Sequence, residues 1–203
     1  FLAQIRDETG VTLSDLNLGG GYGVRYTQED EAIDIPARLA ELAAYLKEET
    51  ERLGLPMPRF LMEPGRSIVA DAGMTLYTVG SVKRIPGYKQ YAAVDGGMTD
   101  NPRYALYQSR YTVYHAHKSG SMERFDVVGR CCESGDIIQP GVELPGNTCR
   151  GDILAVCTTG AYNYSMASNY NRLPRPAVVM LTPDRIYEAV RRETFADLTA
   201  LDL

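Results

Sequence analysis

The sequence predicts an α/β layer followed by a mostly β domain, with the change of character near residue 72. Residues 1–72 alternate helical apolar spacing with short strands that end in glycine or proline turns, the signature of a parallel α/β layer. From Met74 onward, short runs rich in β-branched and aromatic residues recur between Gly and Pro, as in an antiparallel β-barrel or sandwich. With 203 residues, 44% hydrophobic and 23% charged, the chain can pack one large domain or two small ones. That balance excludes a disordered tail, a collagen-like repeat and a disulfide-stapled miniprotein.

Taken in order, the residues around Ile5 form a helix that stops at Gly10, and Asp15–Leu18 is a short strand running into Gly19-Gly20-Gly21-Tyr22-Gly23. Asp34 is a good N-cap and Pro36 fits a first turn, while Ile35, Leu39, Leu42, Ala43, Leu46 and Leu53 recur at helical spacing until Gly54 and Pro56. Phe60–Glu63 is a second strand, broken by Pro64-Gly65, and Ser67–Ala72 makes one or two helical turns. Strands of the β domain are predicted at 75–79, 91–94, 112–115, 124–128, 152–156 and 177–180. Ile186 to Leu198 fits a terminal amphipathic helix, through Ile186, Val190 and Leu198. Gly160 to Arg172, with three Tyr and three Asn, fits neither period; so many large side chains in a loop suit a pocket wall or an interface. The expected domains are 1–72 and 73–203, the latter closing on the helix.

Charge narrows the partners. Lys and Arg number 21 against 26 Asp and Glu, a net −5 with no basic block, which argues against nucleic acid. No apolar run approaches the roughly 18 residues of a membrane span, and no cleavable signal begins at Phe1. The four cysteines, Cys131, Cys132, Cys149 and Cys157, show no C-x-x-C spacing and suit reduced thiols of a cytoplasmic protein. A chain starting at Phe1 without Met is expected to begin inside something longer.

Several constellations could carry chemistry. The glycine run after the first strand lets backbone N–H groups approach an anion, or makes a plain tight turn. Glu63-Pro64-Gly65-Arg66 follows the second strand; its guanidinium could grip a carboxylate, or be solvated. Ligands gather at the carboxyl ends of parallel strands, so two such turns support each other. Cys131-Cys132-Glu133-Ser134-Gly135-Asp136 puts a thiol, two carboxylates and a hydroxyl on a tight turn that could supply a proton donor and a cation ligand, or it is a buried Cys beside a solvated acidic turn. His115-x-His117 is expected to be two exposed loop histidines rather than half a metal site.

In order along the chain, Gly19-Gly-Gly-Tyr-Gly23, Glu63-Pro-Gly-Arg66, Val94-Asp-Gly-Gly-Met-Thr-Asp-Asn-Pro-Arg103, Cys132-Glu-Ser-Gly-Asp136 and the Gly160–Asn171 loop closely resemble the diaminopimelate decarboxylases. These are pyridoxal-phosphate enzymes related to ornithine and arginine decarboxylases and, more remotely, to alanine racemase. The resemblance runs from about Leu16 to Met180 and implies the last strands and helices of an alanine-racemase-like (β/α)8 barrel followed by the β domain. It implies that Gly20, Gly21 and Glu63, Pro64, Gly65 and Arg66 hold the cofactor phosphate and ring, with Glu63 facing the pyridine nitrogen and Tyr162 stacking nearby. It further implies that Arg66, Arg103, Tyr107 and Tyr162 bind the substrate, diaminopimelate, that Glu133 takes its distal ammonium, and that Cys132 is the proton donor. No metal is implied, and a homodimer is, with the Cys–Glu segment reaching into the other subunit's site. The barrel half carrying the cofactor-binding lysine is missing, so the chain is expected to be a carboxy-terminal fragment that does not decarboxylate alone. The alternatives are a related ornithine, arginine or carboxynorspermidine-type decarboxylase, and a non-catalytic module of the same fold.

Overall fold

The computed structural model describes residues 1–203. The chain divides into two compact units, residues 1–25 with 30–69, and residues 26–29 with 70–203.

In the first unit, helix α1 (Leu2–Thr9) ends where Gly10, at φ 74°, donates its N–H to the Arg6 carbonyl at 2.8 Å. The Arg6 guanidinium then donates to the Leu53 carbonyl at 2.8 Å, satisfying the end of helix α2 (Ile35–Arg52). At the other end of α2, the Asp34 carboxylate accepts the Ala37 N–H at 3.0 Å and Pro36 occupies the first turn, as the sequence predicts. Strands β1 (Asp15–Asn17) and β2 (Arg59–Leu61) pair in parallel, Leu16 opposite Phe60, so β1–α2–β2 is a strand–helix–strand unit. Helix α3 (Arg66–Val69) follows the turn after β2. Burial here is sparse: in α2 only Thr50 is buried, and Leu39, Leu61, Ile68 and Val69 are exposed. Parallel strands ordinarily need cover on both faces.

The second unit is built on a six-stranded sheet. Its strands are β3 (Met74–Arg84), β4 (Gln90–Val94), β5 (Val113–His115), β6 (Met122–Val128), β7 (Ile137–Pro145) and β8 (Ile153–Cys157). They are ordered β5-β8-β3-β4-β6-β7, and every neighbouring pair is antiparallel except β4 with β6. Strand β3 pairs with β8 through residues 74–78 and with β4 from Val79 to Arg84, with an irregularity between Val79 and Ser81 where the strand passes from one partner to the other. Just before β5, the Tyr111 N–H donates to the Gln139 side chain on β7 at 2.8 Å, bringing the two outer strands together into a nearly closed, barrel-like sheet. Tyr77, Val79, Val94, Phe125, Val127, Ile138, Leu144, Leu154 and Val156 fill its interior. Tyr26 joins this unit, its ring edge-on to Tyr111 at 5.4 Å.

Two sequence expectations fail here. Ile186 to Leu198 is not one amphipathic helix: strand β10 (Ile186–Val190) pairs antiparallel with β9 (Val178–Leu181), and only Phe195–Leu198 (α6) is helical. Ile186 and Val190 are four apart, a spacing that suits a strand face as well as a helix face. Pro183-Asp184 makes the turn, with the Thr182 N–H donating to the Arg185 carbonyl at 2.9 Å. Strand β7 was not expected at all, because Pro140, Gly141 and Pro145 break its pattern. It survives partly because the Asp126 carboxylate accepts the Gly141 N–H at 2.8 Å beside an irregular stretch of the β6–β7 register. No helix is long and apolar enough to cross a membrane.

The 160–172 loop starts from a close backbone crossing. The Gly160 N–H donates to the Ala70 carbonyl and the Thr159 N–H to Gly73, both at 3.0 Å. A Cβ on Gly73 would lie 2.4 Å from the Gly160 Cα, whereas one on Gly80 would meet nothing nearer than 3.7 Å. Gly73→Ala is therefore expected to lower unfolding stability by about 1–3 kcal/mol. Gly80→Ala should stay within about 0.5 kcal/mol of the parent in the same denaturant titration. Equal effects would place the crossing outside the stable core.

Candidate active site

In the first unit, the two predicted turns meet through their backbones. The Glu63 N–H donates to the Gly19 carbonyl at 2.7 Å, and Leu18 to Leu61 at 3.0 Å. A Cβ on Gly20 would sit 2.0 Å from the Glu63 carbonyl oxygen, so only glycine lets the turns approach this closely. Asn17, which sequence reasoning did not single out, ties them together. Its amide donates to the Glu63 carboxylate at 2.7 Å while its oxygen accepts the Gly19 N–H at 2.8 Å. Gly21 takes φ 97°, and the space a side chain would occupy there is open. Pro64 and Gly65 lead directly into Arg66, the first residue of α3. A bare glycine backbone, a carboxylate in fixed orientation and a guanidinium fit a group that carries both a phosphate and a protonated ring nitrogen, as pyridoxal phosphate does.

In the second unit, Asp136 joins two turns that lie far apart in sequence. Its carboxylate is buried, and its two oxygens accept the Met98 N–H at 2.6 Å and the Cys131 N–H at 2.7 Å. Any Cβ on Gly97 or Gly129 would stand 2.6 and 2.2 Å from that carboxylate. The acidic turn expected to be solvated thus has one of its carboxylates inside the protein. Asp100 accepts the Gly97 N–H at 2.9 Å and a short hydrogen bond from the Tyr77 hydroxyl. Burial raises the Asp100 carboxyl, and burial together with Asp100 pushes the Tyr77 phenol well above its ordinary value.

The adjacent cysteines have different surroundings. Cys131 is half-buried, and burial with the Asp136 charge pushes its thiol to about 11. Cys132 is exposed, its N–H held by the Asn171 side chain at 2.7 Å. Glu133 accepts the Gly135 N–H and the Tyr170 hydroxyl, each at 3.2 Å, and these hold its carboxyl below the usual range. The 160–172 loop therefore leans on the Cys–Glu turn. It does so with strained backbone, Tyr162 at φ 70°, Asn171 at φ 58° and Arg172 at φ 57°. Three of the named site residues form a second group. Arg103 opens helix α4 (Arg103–Tyr107) and is buried, its guanidinium 5.4 Å from the Tyr107 ring and 5.3 Å from the Tyr162 ring. Arg103 Nε and both polar atoms of the buried Asn101 amide have no protein partner, a pattern that marks sites for water or ligand. His115 departs from expectation: its side chain is only 2% exposed.

Residues 14–160 match the family model described as pyridoxal-dependent decarboxylase, C-terminal sheet domain, and the chain belongs to that family. Within it, the similarity is to diaminopimelate decarboxylases. The chain is 48% identical over its whole length to the diaminopimelate decarboxylase of Bacillus subtilis, spanning 46% of that protein. It is 41% identical to the one from Staphylococcus aureus, over 96% of this chain and 47% of that protein. A crystal structure of the M. jannaschii diaminopimelate decarboxylase with L-lysine superposes at a TM-score of 0.91 and 33% identity, covering all of this chain and 46% of that one. A lysine/ornithine decarboxylase from Vibrio vulnificus with cadaverine superposes at 0.72 and 26% identity, over 84% of this chain and 44% of that one.

Glu193 fastens the loop from behind, accepting from the Asn169 amide at 2.7 Å, the Arg175 N–H at 2.8 Å and the Arg175 Nε at 2.7 Å. The Arg175 guanidinium and N–H, ahead of Asn169, lower its carboxyl from 4.5 to about 2. A depressed folded-state value means the stabilisation is full above about pH 4.5 and is lost as pH falls toward 2. The amide resonances of residues 169–175 should therefore change across that window, and Glu193→Gln should show the loosened spectrum already at pH 6. Identical acid titrations of the two proteins would contradict this role.

Proposed function

We propose that this chain is the carboxy-terminal portion of a pyridoxal-phosphate enzyme that converts meso-diaminopimelate to lysine and carbon dioxide in lysine biosynthesis. The observation that carries the reading is Arg103, a buried guanidinium within about 5.4 Å of two tyrosine rings and with its Nε unpartnered, suited to a substrate with a distal carboxylate. Ornithine has no such carboxylate. The 48% identity to the Bacillus subtilis enzyme supports the same choice over the ornithine and arginine branches.

In this reading β1–α2–β2 closes an alanine-racemase-like (β/α)8 barrel, whose other strands cover the apolar residues exposed here, Leu61 among them. The cofactor-bearing lysine comes from that part as well. Lys47 is an exposed residue of α2 and Lys83 lies in β3, while Lys89 and Lys118 pair with Asp126 and Asp152 at 2.6 Å. None lies at the strand end directly after β1 or β2, so the chain alone should not decarboxylate.

Gly20, Gly21, Pro64, Gly65 and Arg66 would hold the cofactor phosphate, and Glu63 its ring nitrogen. When bound, pyridoxal phosphate supplies an electron sink for the bond that releases carbon dioxide. Arg103 and Tyr107 hold the distal carboxylate, with Tyr162 beside them, and the resemblance gives Arg66 to substrate binding as well. Glu133, kept ionised by its hydrogen bonds, takes the distal ammonium. Cys132 delivers the proton from its Sγ to the substrate α-carbon. Both lie exposed on one turn, which supports a homodimer in which the turn serves the neighbouring subunit's site. Four unpaired thiols suit a reducing, cytoplasmic setting.

In the full-length enzyme, Arg103→Ala is expected to raise KM for diaminopimelate by about 30-fold or more, the loss of a charge-assisted contact worth roughly 2–4 kcal/mol, with cofactor loading unchanged. Cys132→Ala should instead lower kcat with little change in KM. An unaltered KM in the first variant removes Arg103 from the substrate site. Turnover of ornithine in preference to diaminopimelate by the parent would favour the related decarboxylases.

A further inference from the structure

A second cluster of reactive side chains lies in the same unit, on residues that the proposed chemistry does not use. It joins the segment after β5 to the turn between β7 and β8. His115 Nδ1 accepts the backbone N–H groups of His117 at 3.2 Å and Lys118 at 2.9 Å, which puts the neutral ring's proton on Nε2. That nitrogen is buried and faces Asp152 Oδ2 at 3.1 Å, off line for a hydrogen bond and with no other partner. Asp152 Oδ2 also accepts the Cys149 N–H at 2.8 Å and Lys118 Nζ at 2.6 Å. The Lys118 ammonium spends its other two protons on the Asn147 carbonyl at 3.1 Å and the Cys149 sulfur at 3.2 Å.

All three donors of one ammonium are thus engaged, and one of them points at an exposed thiol. Lys118 is held on three sides, so it stays where it can act on that sulfur. The sulfur is the nucleophile that attacks a peroxide oxygen, and the Lys118 nitrogen stands beside it at 3.2 Å. Burial opposes the Asp152 charge, yet the Lys118 ammonium, the Cys149 N–H and His115 keep its carboxyl well below the ordinary range, so Asp152 stays ionised against Lys118. The Nζ–Sγ separation is slightly longer than two bonds to one bridging atom would span.

We propose that Lys118 and Cys149 form an oxidation-dependent covalent staple, a nitrogen–oxygen–sulfur link, when the protein meets a peroxide. The thiol, the ammonium and two hydrogen peroxide molecules give the S–O–N bridge, three waters and one proton. Each peroxide takes two electrons from the pair; S–H and N–H bonds are lost and S–O and O–N bonds form. The ammonium gives up the released proton to solvent, which frees the nitrogen lone pair that forms the O–N bond, and thiols reverse the link. The staple ties the loop after β5 to the β7–β8 turn, so oxidation should raise the thermal midpoint of the second unit.

The test is peptide mapping of the 203-residue chain after hydrogen peroxide, with and without a thiol reductant. The expected product is one linked peptide pair containing Lys118 and Cys149, about 14 Da heavier than the sum of its parts (one oxygen in, two hydrogens out), and lost on reduction. Lys118→Arg, which keeps the charge but not the amine, should abolish the link and leave Cys149 oxidised but unbridged. Cys149→Ser should abolish both. Cys149 carried to the sulfinic acid with Lys118 unmodified in the parent would overturn the proposal, as would a linked pair that persists in Lys118→Arg.

Discussion

The buried carboxylate of Asp136 is the contact on which the arrangement of the second unit's candidate site depends. It gives two turns some 30 residues apart in sequence a common anchor, because each donates a backbone N–H to one of its oxygens. A buried carboxylate tolerates this position only when its lone pairs are met, and the N–H groups in turn would be orphaned without it. The geometry excludes side chains at Gly97 and Gly129, which explains two glycines that no turn type demands. Cys132 and Glu133 on one side, and Asn101 and Arg103 on the other, are placed by that arrangement.

Rigid support continues outward from there. Tyr170 and Asn171 hold the Cys–Glu turn through Glu133 and the Cys132 N–H, and Glu193 holds their loop. Three non-glycine residues of the loop, Tyr162, Asn171 and Arg172, take positive φ, which bulky side chains avoid. Such strain persists only where surroundings over-determine the conformation, and here three hydrogen bonds to Glu193 and the Gly73–Gly160 crossing do so. Arg103 is fixed differently, by its own burial and its contact with two aromatic rings, which leave its Nε without a partner. In the first unit the same logic uses no buried charge: Asn17 and the Gly20–Glu63 approach set one carboxylate's orientation.

The helices and strands with strong local signals were legible in the sequence. Asp34, Pro36 and Gly54 bound α2 through capping rules that act over a few residues, and Gly10 stops α1. The terminal hairpin was not legible, since Ile186 and Val190 satisfy both periods and only the pairing partner decides. Strand β7 was hidden by its prolines and rests on a side-chain contact from β6. Among site residues, the glycine turn, Glu63, Arg103 and the Cys–Glu turn were visible as motifs. Asn17, Asn101 and Asn171 were not, because an amide's role depends on what the fold brings to it. Asp136 was visible as an acid but not as a buried one. His115 was misjudged because its burial comes from long-range packing of β5 against β8.

The most direct test is Asp136→Ala, followed by denaturant unfolding and amide exchange in the 203-residue chain. Two orphaned N–H groups should cost about 2–4 kcal/mol, with protection lost first at residues 97–101 and 131–133. Stability unchanged within about 0.5 kcal/mol, and intact protection at Met98 and Cys131, would contradict the anchoring role of the carboxylate.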